Sequence, residues 1–594
     1  MTASSPKKLY LLLLSLLSGL LLWFSWTPSG FPFLIFFAFV PMLFISDLLL
    51  PRRSNVSLWH GIIYTLPALL LWNIGTTWWI WNSTPQGAVG AIVLNSFFMS
   101  IVWGLWHCSR NQRIPEAASP VILIAFWMSW EFLHLHWDLT WAWLNLGNVF
   151  APVTAWVQWY EYTGAFGGTL WVLAANFLVY YMLKAIRNTK KVKIVTISAL
   201  VAWIILPLCA SLLMYYHYTP KQSGAAIEAV VVQPNTDAWE EEYSMSHAEH
   251  IVRILTTAKQ QVTPATQLIV CPESALPHNL YERTLLAKDY TPESSNYIPF
   301  ILLDTLTAHN PDLNFILGLS TVRIYNYKAS STCRDVGDGE FKEYYNTSCC
   351  YNRQQVNGLY HKSRLVPGVE KMPFPKLFGF LEDLVIDLGG TSGSLGNDSI
   401  QHPFTLYFND DSCKVGAPIC YESIYGELFG GFVRNGAQLM CVITNDDWWG
   451  NTPGYKQHFL MSKLRAVESR RTILRSANTG ISAIINERGD VLQQTKYKTR
   501  TALKQTVYLN DEITFYAKHG DYIARFALLL SGLAFLGLMV LWGGNRWKEG
   551  GNGGNREKTV ETGRKGRKRA SRRFASFGRK TAPLAPICNR CVNC

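Results

Sequence analysis

The sequence predicts a protein of two parts, a multispan membrane domain of about eight helices and an α/β domain outside the membrane. At 594 residues the chain is too long for one ordinary domain. Hydrophobic residues make up 49% of it, charged residues 16%, and there are 23 Trp, which is typical of membrane spans joined to a soluble part. Between the last two apolar runs, a block of roughly 300 residues alternates short β-rich runs with helical stretches, the pattern of an α/β layered domain.

Eight apolar runs are candidates for membrane helices. Lys7 and Lys8 precede the first run, which lacks a small-residue cleavage site and is followed at once by a second run. We therefore interpret it as a retained span and not as a signal peptide. The fifth run is short and carries Glu131 and His134. The eight runs are Leu9–Trp26, Phe31–Leu50, Leu58–Trp81, Ala88–Trp106, Pro120–Leu135, Gly164–Leu183, Ile194–Tyr215 and Tyr522–Trp542.

Basic residues fall in alternate connections between these runs, and the intervening loops at 27–30 and 82–87 have no Lys or Arg. By the positive-inside rule the basic connections face the cytoplasm, so the block between the seventh and eighth spans faces outward. The basic set consists of Lys7, Lys8, Arg52, Arg53, Arg110, Arg113, Lys184, Arg187, Lys190, Lys191, Lys193 and the tail. The expected domains are a membrane domain at 1–215, an outward domain at 216–520, a last helix at 521–543 and a tail at 544–594.

The tail holds most of the formal charge. Of the net charge of +13, +11 lies in residues 544–594, which contain 14 Lys and Arg and 3 acidic residues. Because the remaining chain is nearly neutral, a specific nucleic-acid partner is not expected. We predict a disordered cytoplasmic tail, with charge-only contact to anionic lipid or RNA as the alternative. Cys588, Cys591 and Cys594 are too few ligands for a closed zinc site, and no metal or other cofactor is expected.

The outward domain contains six predicted strands and two predicted helices. The segment 325–355 is polar, rich in Tyr and Cys, and is interpreted as an insertion or long hairpin. The strands are Ala226–Gln233, Gln267–Cys271, Phe315–Leu319, Val415–Cys420, Met440–Thr444 and Ile481–Asn486, and the helices are Ser244–Lys259 and Gly454–Arg475.

Before the sixth span, the segment Thr140–Tyr162 contains four Trp together with Asn, Gln and Glu. An aromatic belt at the membrane interface explains some of these residues. The alternative is a lipid-facing loop that borders a functional site.

The strongest candidate for chemistry is Cys420, which ends a short apolar run and precedes Tyr421, Glu422 and a predicted helix start. A strand fixes the backbone, a tight turn exposes the thiol, and the helix field is expected to favour a thiolate. A single cysteine after an apolar run can equally be a small buried hydrophobe.

Two upstream stretches favour catalysis. In the string LIVCPESA an apolar strand ends in a turn that presents Glu273, and the string GLYHKSRLVP places Lys362 between apolar flanks. Each residue alone is typical of a solvated surface charge. Together with Cys420 they supply a base, a cation and a nucleophile, which are the requirements of acyl transfer through a thioester.

The order Glu273, Lys362, Cys420, in the strings CPESA, YHKSRLVP and ICYES, resembles the nitrilase superfamily of carbon–nitrogen hydrolases. The string TNDDWWG at 444–450, His458, Arg465-Ala466 and the string RSANTG at 475–480 extend the resemblance. With eight spans around an outward domain, the chain is similar to the bacterial apolipoprotein N-acyltransferases over residues 9–543.

This resemblance implies an αββα sandwich in which Cys420 is the nucleophile, Glu273 the general base and Lys362 the oxyanion stabiliser. It also implies supporting roles for Glu370 as a second carboxylate and for Tyr421 and Glu422 beside the nucleophile. Trp448 is expected to shape the acyl pocket, and Trp239, a loose match, to lie on a mobile lid.

The same resemblance implies the partners and the compartment. The acyl donor is a membrane phospholipid, the acceptor is a diacylated apolipoprotein, and the enzyme is expected to act as a monomer in the bacterial inner membrane with its catalytic domain in the periplasm. The family usually has Trp where this chain has Cys271, and Phe-Gly-Glu where it has Gly368-Val369-Glu370. These differences alter the pocket lining and leave its charges in place.

Acyl transfer is the first of three functions that remain open from the sequence. A membrane-tethered amidase acting on small periplasmic amides would use the same three residues, with water as the acceptor. A multispan scaffold without catalytic activity is the third possibility.

In an oxidising periplasm a disulfide could form among Cys333, Cys349, Cys350 and Cys413. Cys420 must stay unpaired if it is the nucleophile, and Cys441 is expected to be an inert packing residue.

Overall fold

The structure is a computed structural model that describes residues 8–26, 28, 30–50, 57–110, 114–291, 293–375, 394–408 and 411–553, with side chains to 541. Lys7, Arg52, Arg53, Arg113 and the basic tail lie outside the residues that carry a side-chain description. Residues Met1–Met539 form one compact unit, and Val540–Cys594 form a second.

Apolar helices make up the N-terminal part of the first unit. They are α1 (Lys8–Trp26), α2 (Val40–Leu49), α3 (Leu58–Thr77), α4 (Pro85–Ser109), α5 (Ala118–His134), α6 (Tyr160–Thr189) and α7 (Ile194–His217). Three 3₁₀ segments join them, at Pro32–Phe36, Trp78–Asn82 and Leu146–Trp156.

Within the described residues, six helical segments are long and apolar enough to cross a membrane: Lys8–Trp26, Pro32–Leu49, Pro85–Ser109, Tyr160–Thr189, Ile194–His217 and Tyr522–Leu541. Each coincides with one of the eight predicted runs. The third and fifth runs also form helices, α3 and α5, but are not among these six, so the number eight stays a prediction.

The short helix α5 accommodates its acidic residue by hydrogen bonding. Glu131 is buried, and its carboxylate accepts from the Leu146 N–H at 2.8 Å, the Thr169 hydroxyl at 2.8 Å and the Trp127 indole at 3.0 Å. A buried carboxylate with three donors needs no water. It fastens the 3₁₀ segment Leu146–Trp156 between α5 and α6.

The α/β domain contains two sheets. The first has the order β14-β1-β2-β4-β6-β5, with β3 paired to β4 and β7 to β6, and the second has the order β13-β12-β11-β10-β9-β8. The strands are β1 (Ala226–Gln233), β2 (Thr266–Val270), β3 (Leu276–Tyr281), β4 (Asn314–Tyr325), β5 (Arg334–Gly337), β6 (Glu340–Asn352), β7 (Gln355–His361), β8 (Phe404–Phe408), β9 (Asp411–Gly416), β10 (Leu439–Thr444), β11 (Ile473–Ala477), β12 (Ala483–Ile485), β13 (Val491–Gln494) and β14 (Thr501–Tyr508).

Seven further helices complete the described chain: α8 (His247–Ala258), α9 (Glu282–Ala287), α10 (Ile298–His309), α11 (Gly426–Arg434), α12 (Pro453–Ser469), α13 (Phe515–His519) and α14 (Tyr522–Gly553).

The period-two alternation of strand β1 explains how these elements stack. Val230 and Val232 pack with apolar residues of α8 and α10, whereas Ala229 and Val231 belong to the core that the second sheet fills from the other side. Phe432 of α11 and Leu464 of α12 cover the far face of the second sheet. The layers are helix, sheet, sheet, helix, as the resemblance implied.

Three predicted elements are wrong at their C-terminal ends by more than one residue. Strand β4 ends at Tyr325 and not at Leu319. Strand β9 ends at Gly416 and not at Cys420, since residues 417–419 do not continue the strand before the 3₁₀ turn that begins at Cys420. Helix α12 ends at Ser469 and not at Arg475, since Arg470 adopts a left-handed conformation (φ +48°) and Ile473 already pairs with β10. The polar segment 325–355 is a hairpin whose second strand, β6, lies inside the first sheet.

Cys333, Cys349, Cys350 and Cys413 are buried free thiols. Cys441 is fully buried in β10, as expected for a packing residue.

Candidate active site

Cys420 lies in a tight turn that follows strand β9 of the second sheet. After β9, Ile419 bridges to Ile443 of β10, and Cys420 opens a 3₁₀ turn over Cys420–Ile424. Its φ of +48° is a left-handed conformation that costs a non-glycine residue of the order of 1 kcal/mol. The Ser423 hydroxyl donates to the Cys420 carbonyl at 2.7 Å and stabilises the turn.

Glu273 and Lys362 approach the same point from the first sheet. Glu273 follows strand β2, and Lys362 follows strand β7. The Lys362 ammonium donates to Glu273 Oε1 at 3.2 Å and to Glu370 Oε1 at 2.9 Å. Because Lys362 is almost fully buried, two carboxylates around one cation compensate its desolvation.

The charges of Glu273 and Lys362 both act on the Cys420 thiol. Burial, reinforced by the Glu273 carboxylate, raises the pKa of Cys420, and the Lys362 ammonium opposes this effect. Burial alone would lower the pKa of Lys362, but Glu273 and Glu370 outweigh it and hold that pKa well above its usual range. The predicted helix field does not produce a thiolate here, since the turn is a short 3₁₀ segment. The raised pKa favours the protonated thiol of Cys420 over the thiolate.

Glu370 is the second carboxylate of the site. Its Oε1 accepts from Lys362, and its Oε2 accepts from the Val366 N–H at 2.8 Å. The amide of Asn346, on β6, donates to Glu273 Oε1 at 2.8 Å and to Glu370 Oε1 at 2.9 Å. Asn346 therefore sets the spacing of the two carboxylates.

Glu422 connects the loop of Cys420 to the loop of Lys362. One carboxylate oxygen accepts from the Tyr360 hydroxyl at 2.6 Å and from the N–H and hydroxyl of Ser363 at 2.6 and 2.8 Å. The other oxygen accepts from the Ile419 N–H at 2.8 Å. Burial raises the pKa of Glu422. The residue holds Lys362 and Cys420 in register through their chain neighbours.

Behind the nucleophile lies a fully buried polar cluster. His458 is 2.9 Å from Asp446 through Nδ1 and 3.1 Å from the Cys420 carbonyl through Nε2. Arg475 donates to Asp446 at 2.9 Å. This cluster fixes the carbonyl of Cys420 from the side opposite to the carboxylates of the first sheet.

A cavity of about 260 Å³ opens beside Cys420. Its walls come from both parts of the chain, and nearly all of the side chains that form them are apolar or aromatic. They include Trp79, Leu94, Phe98, Trp141, Trp143, Val366 and Trp449, with Cys420 and Tyr421 at the catalytic side. Leu94 and its neighbour on the same helix, Val93, are exposed on the surface of α4. The cavity thus extends from the thiol toward a helix surface suited to lipid.

The segment Thr140–Tyr162 borders this cavity. Tyr421 donates its hydroxyl to the Thr140 carbonyl at 3.0 Å, and its ring lies beside that of Trp141. Burial raises the pKa of Tyr421 far above its usual range, so its hydroxyl is uncharged and its ring forms part of the cavity wall. Of the two interpretations open from the sequence, the structure favours the loop that borders a site.

Trp448 and Trp239 lie outside the cavity wall. Their rings meet edge to face at 5.0 Å, and Trp239 is 59% exposed on the turn that follows β1. Of the adjacent residues Trp448 and Trp449, it is Trp449 that lines the cavity, and its ring contacts Trp79 and Trp143.

The site also contains residues that sequence reasoning missed. Asn346 lies in a strand without a motif, and nothing in its sequence context marks it. Asn445, whose N–H donates to Glu273 Oε2 at 3.0 Å, lies in the string 444–450 and could have been found there. Glu242 is the third of three consecutive glutamates and has the sequence appearance of a solvated charge run. Among the described residues, no group of His, Cys, Asp and Glu has an arrangement suited to a metal ion.

Two family models match the chain. The carbon–nitrogen hydrolase model matches residues 228–514, and the model of the apolipoprotein N-acyltransferase N-terminal domain matches residues 18–178.

Curated relatives match most of the chain. An apolipoprotein N-acyltransferase of Chlorobaculum tepidum is 26% identical over 88% of this chain and 95% of its own length. One of Geobacter metallireducens is 25% identical over 89% and 96%. Among solved structures, Saccharomyces cerevisiae Nit3, a member of branch 10 of the nitrilase superfamily, matches 49% of this chain and 93% of its own at 15% identity and a TM-score of 0.33.

Proposed function

The chain belongs to the apolipoprotein N-acyltransferase family, and on that premise we propose that it moves an acyl chain from a membrane phospholipid, through a thioester on Cys420, to the N-terminal amine of a diacylglyceryl-cysteine. The observation that carries this proposal is the apolar cavity beside Cys420, whose walls include the membrane helix α4. An acyl chain gains about 0.8 kcal/mol for each CH₂ that stays out of water, so its donor must be met at the lipid boundary.

In the first half-reaction Glu273 takes the proton of the Cys420 thiol, and the sulfur attacks the ester carbonyl of the phospholipid. Lys362 stabilises the oxyanion that forms on the carbonyl oxygen. The tetrahedral intermediate collapses as the C–O bond breaks, and the lysophospholipid leaves with the proton that Glu273 had taken. The product is a thioester on Cys420.

In the second half-reaction the acceptor amine attacks the thioester carbonyl. Glu273 removes a proton from the nitrogen, the C–S bond breaks, and the proton returns to sulfur. The amide product leaves, and the thiol is regenerated. Because the donor product departs before the acceptor reacts, the kinetics are ping-pong.

The distribution of basic residues supports the proposed compartment. The described basic residues Arg110, Lys184 and Arg187 lie at or near one end of the helices α4 and α6, and the loop 82–84, at the opposite end of α4, hydrogen-bonds to the α/β domain through Asn82. This supports a bacterial inner-membrane protein whose catalytic domain is periplasmic. A periplasmic amidase for small polar amides is less well supported, since such a substrate would not need a wall of tryptophans.

Intact-mass spectrometry of the purified protein tests the proposal. After incubation with a diacyl phospholipid in detergent micelles, the wild type is expected to gain the mass of one acyl group, which hydroxylamine then removes. Cys420→Ala should gain nothing. Cys441→Ala, at another buried cysteine of the same sheet, should gain the same mass as the wild type.

Two results would contradict the proposal. The first is an acyl adduct that persists in Cys420→Ala, and the second is a wild type that never becomes acylated. Hydrolysis of small amides by such an unacylated wild type would establish the amidase alternative.

A further inference from the structure

Glu242 is a buried carboxyl group that the reaction scheme does not use. It lies on the turn between β1 and α8, between two exposed aromatic residues, Trp239 and Tyr243, but is itself only 1% exposed. Its neighbour Glu241 is half-buried and paired with Arg253. The chain therefore turns Glu242 inward, although its sequence context is that of a surface.

A single residue connects Glu242 to the general base. The Asn445 side-chain amide donates to Glu242 Oε2 at 2.6 Å, and the Asn445 N–H donates to Glu273 Oε2 at 3.0 Å. The second oxygen of Glu242, Oε1, is buried without a hydrogen-bond partner among the described residues. A buried carboxylate oxygen without a donor is unfavourable, and a proton on the group removes much of that cost.

The surrounding charges also favour the protonated form. Burial is the largest effect, and with the carboxylates of Glu273 and Asp447 it raises the pKa of Glu242 to about 8 against the opposing contacts of Ser274 and Asn445. From α8, the His250 ring contacts the backbone carbonyl of Glu242. Near neutral pH the carboxyl group is thus uncharged, and it ionises as the pH rises above about 8.

We propose that Glu242 is a positioning residue for acyl transfer, whose carboxyl group holds Asn445 and through it the base Glu273, and whose ionisation speeds proton transfer from Cys420 to that base. This inference rests on the proposed function. When Glu242 ionises, a further negative charge faces Glu273, while Lys362 remains the cation that Glu273 contacts. Proton transfer from the thiol moves a negative charge from Glu273 to the sulfur and so away from Glu242, and the extra charge therefore favours this transfer.

The test measures the rate of acyl-enzyme formation by quenched intact-mass spectrometry, with a saturated diacyl phospholipid in detergent micelles, between about pH 6 and pH 9. The wild-type rate is expected to rise as the pH passes through about 8. Glu242→Gln keeps an acceptor for Asn445 and stays uncharged. Its rate should lie within several-fold of the wild type at low pH and should lack the part of the rise that follows the ionisation of Glu242.

Glu242→Ala removes the acceptor of the Asn445 amide, and its rate should fall by roughly 5- to 30-fold at every pH, the factor for one buried hydrogen bond of about 1–2 kcal/mol. Glu241→Gln is the matched control and should keep the wild-type profile. Should Glu242→Ala fold poorly, the profile of Glu242→Gln still decides the question.

A Glu242→Gln profile that superposes on that of the wild type would overturn the inference. So would a Glu242→Ala rate equal to the wild-type rate. In both of these results the wild-type protein still becomes acylated. If the proposed function itself is wrong, the wild-type protein carries no acyl adduct, so the two failures can be told apart.

Discussion

At the scale of single residues, the site is organised by hydrogen bonds around one buried cation. Lys362 is shared by Glu273 and Glu370, and Asn346 donates to the same two oxygens from the other side. Removal of Asn346 leaves two carboxylates that repel each other and one ammonium group between them. Glu273 would then lose one of the contacts that fix its position.

Asn346→Ala is therefore expected to slow acyl-enzyme formation by roughly 10- to 100-fold, the factor for lost hydrogen bonds to charged groups. The measurement is the quenched mass assay with the same phospholipid. Asn357→Ala is the matched control, because Asn357 is also half-buried in a strand of this sheet and donates to the Thr405 carbonyl, which lies in the second sheet. Equal rates for the two variants would refute the role of Asn346.

The site residues Glu273, Lys362 and Cys420 could be predicted from the sequence, because each follows a strand in a recognisable motif. Residues that reach the site from the middle of an element could not. Asn346 is an ordinary strand residue until β6 is paired with β4, and Glu242 shows its inward orientation once the turn is folded. Trp448 and Trp449 are adjacent on one 3₁₀ turn, and tertiary packing alone decides which ring lines the cavity.

At the scale of elements, strand ends were predicted less well than strand centres. The apolar pattern of the sequence predicted β1 and β10 to within one residue, because most of their residues are apolar. The run before Cys420 is equally apolar, but β9 ends at Gly416 and only an isolated bridge from Ile419 to Ile443 continues the pairing. A left-handed residue such as Cys420 or Arg470 ends an element without any glycine to announce it.

Helix α4 supplies the cavity wall that faces the membrane side, and Gly90 is one of its lining residues. A Cβ atom added at Gly90 meets no atom within 4 Å, so a side chain can start there without a clash. Gly90→Leu is expected to reduce acylation by long-chain phospholipids more than by short-chain ones, since the added side chain occupies room that the chain end requires.

Competition between two donors that differ in acyl length, read out as the ratio of the two adduct masses, measures this effect. Gly537→Leu is the control, because Gly537 lies in α14 and also has free space around it. An unchanged ratio in Gly90→Leu would show that the acyl chain runs elsewhere.

At the scale of the whole molecule, the proposed orientation predicts that two exposed residues lie on opposite sides of the membrane. Lys328 is exposed in the connection between β4 and β5, and Asn188 is exposed near the end of α6. In spheroplasts, a membrane-impermeant maleimide should label Lys328→Cys at once and Asn188→Cys after lysis. Each is scored against the parent chain, and labelling of Asn188→Cys before lysis would contradict the orientation.

The side chains of Trp79, Trp143 and Gln457 join the N-terminal helical part to the α/β domain. The indoles of Trp79 and Trp143, both from the N-terminal helical part, donate to the Gln457 side chain of the α/β domain at 3.2 and 2.7 Å. A truncated chain beginning at β1 would retain the cysteine, the lysine and the carboxylates, but would forfeit the indole lining that shields them from bulk solvent. We expect such a fragment to keep the polar site and to lose the part of the cavity wall that is proposed to bind the acyl chain.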